Sequence, residues 1–198
     1  SAASDVYKRQ IVGGTFVFSG FVKAIDPYGT VYKFQDYFSA FHLDFLSSFA
    51  MLFSVALSVI EFVLGVHLLF GSYRKSTPRL IFIFLCVMTP VSLYLAIVNP
   101  ISDCGCFGDA WVLTNWETFG KNVVLFIAAV SVFKGGKQII RFITAKMAWM
   151  VSMYTFFFVF VLSFYCLDNL PILDFRPYKI GKNIKEGMEI PEGAKPSV

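Results

Sequence analysis

The sequence predicts an all-α integral membrane protein: a four-helix transmembrane bundle plus a fifth transmembrane helix, with a polar extracytoplasmic C-terminal tail. Three observations carry this. Of 198 residues, 57% are hydrophobic and only 15% charged, against about 45–50% and about 25% in ordinary soluble domains. Apolar runs of helical length recur along the chain, and spanning the hydrocarbon takes roughly 20 apolar residues. Between those runs, connections rich in Lys and Arg alternate with acidic ones. A soluble fold of this size cannot hide so much apolar surface, so a lipid bilayer must cover it. The net charge of +4 is small and scattered, which leaves no basic face for nucleic acid.

The first ten residues, SAASDVYKRQ, are polar and differ in composition from all that follows. They resemble a translated sequencing adapter and are set apart from the fold, so the chain is expected to be a fragment, open at its N-terminus alone or at both ends. A single membrane domain is expected over residues 11–167. Its first helix, near 11–25, is short (IVGGTFVFSGFVKAI). The second, near 46–70, is full length. The third, near 80–98, carries Pro90 midway, where a missing backbone donor favours a kink. The fourth, near 116–133, is the weakest, and the fifth, near 148–167, is strong. Residues 168–198 form the tail, whose prolines and glycines rule out a sixth span.

Lys and Arg near helix ends are retained on the cytoplasmic side. The connection 71–79 has Arg74, Lys75 and Arg79 without an acid, and 134–147 has Lys134, Lys137, Arg141 and Lys146 without one. By contrast, 26–45 sets Lys33 against Asp26, Asp36 and Asp44, and 99–120 has only acids. The pattern places the N-terminus in the cytoplasm of a bacterial inner membrane, with residues 99–120 and the tail in the periplasm. Arg176, Lys179, Lys182 and Lys185 in the tail pull the other way, but the first four helices outvote them. Trp111 and Trp116 fall at the outer aromatic belt and Trp149 at the inner one.

On this topology the stretch SDCGCFGD sets Cys104 and Cys106 where disulfides persist. Cys166 is at the outer end of the fifth helix, and Cys86 is in the inner half of the third. Three readings of the pair stand. In the first it is a redox centre: a bridge across C-x-C closes a small, strained ring, strained bridges are the labile ones, and Cys166 supplies a third thiol to resolve a mixed disulfide. In the second it is a static turn bridged to Cys166. In the third it is part of a metal site, for which Asp103, Asp109 and His42 are the nearest supplements; no second ligand pair supports it.

Glu61 lies deep in the second helix, so it must face the bundle interior, as a proton-handling or quinone-binding position or as a polar contact to a hydroxyl such as Thr89. His67, six residues on, falls off that face and reads as an interfacial side chain. Lys23 and Asp26 are three residues apart and expected to pair at the end of the first helix, which Pro27 then stops.

FSGFVKAIDPYG, the Glu61–Gly65 step and DCGCFGD, in that order and spacing, resemble the DoxX/MauE superfamily of small bacterial membrane proteins. The tail LPILDFRPYKIG is similar to the version found in Bacteroidetes-type bacteria. The resemblance implies a four-helix core, akin to the bundle of vitamin K epoxide reductase-like proteins, with one added helix. It also implies a part in thiol and disulfide balance or in maturing exported redox proteins. It points to Cys104 and Cys106 as the redox pair and to Lys23, Asp26 and Glu61 as family-type polar positions. No cofactor is implied with certainty: a membrane quinone is the candidate cofactor and an extracytoplasmic thiol protein of thioredoxin type the candidate partner, and this chain carries C-x-C where quinone-linked enzymes of that design carry C-x-x-C. The alternative is a non-enzymatic scaffold with bridged cysteines. A transporter lacks the inverted repeat it would need.

Overall fold

The computed structural model describes residues 2–99, 105–135, 142–169 and 171–173. Cys104, Asp103, Lys137, Arg141 and the tail beyond residue 173 lie outside them. Among the described residues there are six α-helices: α1 (Ala2–Ile25), α2 (Pro27–Ala40), α3 (Ala50–Phe70), α4 (Ser76–Val98), α5 (Asn115–Gly135) and α6 (Ala145–Asp168). Five of them are long, and α1 and α3 form the most intimate pair. A Cβ added at Gly20 would sit 2.5 Å from the Phe62 backbone nitrogen, and one at Gly65 2.6 Å from that of Val17. Only small residues let helices approach so closely, and this crossing sets the geometry of the site below.

Around that pair, α4 and α5 pack on one another, α5 packs on α1, and α6 on α3 and α1. Val12, Phe16, Leu68, Ile81, Leu85, Leu125 and Ala129 join α1, α3, α4 and α5 in one core. Ala24, Val55, Val59 and Val159 join α1 and α3 to α6 in a second. The result is a four-helix bundle with α6 laid against its α1–α3 face. Among the described residues, four segments are long and apolar enough to cross a membrane: Asp44–Phe70, Ser76–Val98, Asn115–Lys134 and Lys146–Asp168. The 24-residue α1, which carries Lys8, Arg9 and Lys23, is not among them. Large apolar side chains such as Leu52, Val87, Ile127 and Val161 stand exposed on the outer faces, as lipid contact requires. Trp111, Trp116 and Trp149 are exposed too.

Three local expectations are corrected. The connection after the first helix contains α2, because Pro27 both ends α1 and starts the next helix at its first position, where a missing N–H costs nothing. Asp26 is the N-cap of α2, its Oδ1 accepting from Gly29 N at 3.1 Å. The carboxylate thus serves α2, and Lys23 does not pair with it. Ser54 Oγ ties α2 to α3 by donating to the Pro27 carbonyl at 3.0 Å. His67 is buried, not interfacial, with Ser152 Oγ 2.9 Å from its Nε2. Elsewhere α4 continues through Pro90 as one helix and ends at Asn99, which takes a left-handed φ of 49°.

Candidate functional site

Chain direction alternates along the bundle, so the C-termini of α1, α4 and α6 share one end with the N-termini of α3 and α5. The loop holding Cys106 joins α4 to α5 at that end. On α1, Ser19 and Lys23 are four residues apart and share a face. On α3, Glu61 lies about 16 Å along the helix axis from Ala50, at 1.5 Å per residue. The glycine crossing brings the two faces together. Lys23 Nζ lies 2.6 Å from Glu61 Oε2 and 2.7 Å from Ser19 Oγ, and Ser19 Oγ lies 2.7 Å from the same carboxylate oxygen. All three side chains are buried. The expected hydroxyl partner of Glu61 is therefore Ser19 and not Thr89, whose Oγ1 finds no partner among the described residues.

The loop dips into this network. The Cys106 carbonyl accepts from Lys23 Nζ at 2.8 Å, and Ser19 Oγ lies 2.7 Å from it, its single proton shared between this carbonyl and Glu61. An ammonium has three protons, and Lys23 directs them at Ser19, Glu61 and Cys106. Buried backbone carbonyls need hydrogen-bond partners, and here α1 supplies them. Gly105 and Gly108 adopt φ of +62° and +53°, a left-handed conformation that suits glycine, and Gly108 N donates to Gly105 O at 3.0 Å. Phe107 anchors the turn: it is buried edge-on to Phe18, centroids 5.4 Å apart, with Lys121 Nζ 4.3 Å from its ring centre.

Beside the network is a cavity of about 30 Å³, to which Ser19, Glu61, Cys106, Lys121 and Asn122 contribute. A water needs about 10–15 Å³ and polar partners, so the space suits about two. Asn122 also donates to Ser92 Oγ across α4 and α5 at 3.1 Å. A cleft of about 800 Å³ between α3, α4 and α6 is apolar except for Ser152. Phe84 and Met88 line both spaces and form the wall between them.

Of the sequence-derived candidates, Lys23, Glu61 and Cys106 come together. Asp26 is turned to capping, and its Oδ2 is buried without a hydrogen-bond partner among the described residues. Cys166 is a free thiol, fully buried in α6. Sequence reasoning missed Ser19, Lys121 and Asn122. Ser19 was within its reach, since it precedes Lys23 by one helical turn. The other two are single polar residues in a weak span, with no local pattern to mark them.

A family model described as methylamine utilisation protein MauE matches residues 7–134. The chain belongs to the MauE family. No curated protein and no solved structure matches it. In this MauE-family membrane protein, the matched region holds Ser19, Lys23, Glu61, Cys106 and Lys121, so the whole buried network falls inside the family's domain. Helix α6 and Cys166 lie beyond it.

Proposed function

We propose that this MauE-family protein exchanges disulfides with extracytoplasmic thiol proteins through Cys104 and Cys106. The observation that carries the reading is the grip of Lys23 and Ser19 on the Cys106 carbonyl, which fixes a cysteine turn against a buried ion pair and a small polar-lined cavity. Membrane proteins seldom spend a buried Lys–Glu pair on holding an arbitrary loop. The exchange balances simply. A client thiolate attacks the loop disulfide to form a mixed disulfide, and the client's second thiolate displaces the loop sulfur. The client leaves oxidised, and the loop is left as a dithiol. Cys166, buried at the same end of the bundle, is the candidate resolving thiol.

Renewing the loop disulfide needs a two-electron oxidant, and the apolar cleft fits one of lipid-soluble quinone type. Val63, Ile83, Val87 and Phe156 line a volume large enough for an isoprenoid-bearing ring, with Phe84 and Met88 between it and Cys106. Such a molecule would supply an acceptor for electrons and protons. The protein's share is to hold the loop and to keep Glu61 and its cavity beside it. Helix α1 is read as a fifth span, since it packs along α3, and the distribution of basic residues places the cysteine loop in the periplasm of the inner membrane.

The test is alkylation-shift labelling of membranes before and after reductant, with Cys104→Ser and Cys106→Ser. Exchange predicts a pair that cycles between states and trapped client adducts in each single variant. A pair that never changes state, with function intact in both variants, overturns it and leaves a scaffold with static cysteines.

A further inference from the structure

The buried face of α5 changes character half-way along. Asn115, Thr118, Asn122, Leu125, Ala129 and Val132 follow one another at steps of three and four residues, so they share one stripe, and all of them are buried. The three nearer the cysteine loop are polar, and the three beyond are apolar. Helix α4 matches the change. Asn99, at its loop end, accepts from Asn115 Nδ2 at 2.7 Å, and the buried Ser92 accepts from Asn122 Nδ2 at 3.1 Å. Ile81 and Leu85 instead join the core that holds the apolar half. The small cavity lies at the changeover. Asn122 and Glu61 contribute to its wall, together with Phe16, Leu85 and Leu125 of that core.

Polar contacts between membrane helices often serve only to hold them together. That role does not account for this seam. Thr118, 1% exposed, has its Oγ1 buried with no hydrogen-bond partner among the described residues, and Thr89 Oγ1 is in the same state. A hydroxyl left so in apolar surroundings is costly. Water is the partner that fits, since it both donates and accepts, and the cavity beside Asn122 has room for it. Neighbours on the stripe are about 5–6 Å apart, the span of two hydrogen bonds through one water. Asn99 is exposed, so the polar half reaches the surface at the loop end. The Lys23–Glu61 pair and Lys121 are the ionisable groups at its blind end.

We propose that the loop-end half of the α4–α5 interface is a hydrated half-channel, through which water and protons reach Glu61 from that end alone. The inference does not depend on disulfide exchange. Water-edited solid-state NMR of the chain in lipid bilayers tests it, by reading the magnetisation that passes from water to each side chain. Build-up at Thr118, Asn122 and Glu61 should be several-fold faster than at Leu125 and Ala129. Thr118→Val keeps the shape of the side chain and removes its hydroxyl, and it should slow build-up at Glu61 several-fold. Thr118→Ser should restore the wild-type rate. Slow build-up along the whole stripe means a dry seam and overturns the proposal. Fast build-up along the whole stripe means a passage open at both ends and overturns it as well. So does an unchanged rate at Glu61 in folded Thr118→Val, which would route the water past the cysteine loop instead.

Discussion

Lys23 Nζ sits 2.6 Å from Glu61 Oε2 and 2.8 Å from the Cys106 carbonyl, so one buried ammonium ties α1, α3 and the cysteine loop together. Removing one member of a buried ion pair strands the other, at about 3–5 kcal/mol, whereas replacing both by apolar residues is often neutral. Lys23→Met alone should therefore lower stability by about that much. Lys23→Met with Glu61→Leu should recover most of it while the loop stays untied. Chemical unfolding in detergent measures the first effect, and Cys106 alkylation rates measure the second.

Ser19 Oγ lies 2.7 Å from both the Cys106 carbonyl and Glu61 Oε2 and shares its one proton between them. Ser19→Ala leaves Lys23 in place, so the fold should persist, with a loss of about 1 kcal/mol for one hydrogen bond. The loop should loosen, and Cys106 should be alkylated several-fold faster at fixed pH. An unchanged rate would show that Phe107, not the carbonyl tie, sets the loop's position.

The α1–α3 crossing gives a sharper contrast. Gly20→Ala and Gly65→Ala place a methyl within 2.6 Å of backbone atoms that cannot retreat, and overpacking of this kind costs about 1–3 kcal/mol. Gly120→Ala in α5 meets nothing within 4 Å and should be neutral or stabilising by up to about 1 kcal/mol. Thermal unfolding of the three variants side by side decides it. Equal losses would mean that the crossing is not the close contact described here.

Asp26→Ala removes the cap of α2, and such losses run at about 1 kcal/mol. The helix is only 14 residues long, so the loss should appear locally, as faster proteolysis within 27–40 while the long helices stay intact.

The long helices were legible because hydropathy over some twenty residues is a property of the segment itself. That Glu61 faces inward was legible for the same reason, since the bilayer leaves a carboxylate nowhere else to go. Its partner was not. Local spacing favours Asp26 for Lys23, but Asp26 is committed to an amide three residues on, and the true partner is 38 positions away across a crossing that only the folded pair reveals. Helix α2 was missed because Pro27 reads equally well as a stop and as a first residue, and mixed aromatic and polar residues hide its amphipathic face. Lys121 gains meaning only from Phe107 of the loop that packs beneath it.

Phe84 and Met88 line both the small cavity beside Cys106 and the apolar cleft. Two rotatable side chains of α4 thus belong to the insulation between the polar space and the hydrocarbon-like one. Trimming that insulation with Phe84→Ala would merge the compartments and open Cys106 to greasy electrophiles arriving sideways from the bilayer, a vulnerability the native side chains keep closed.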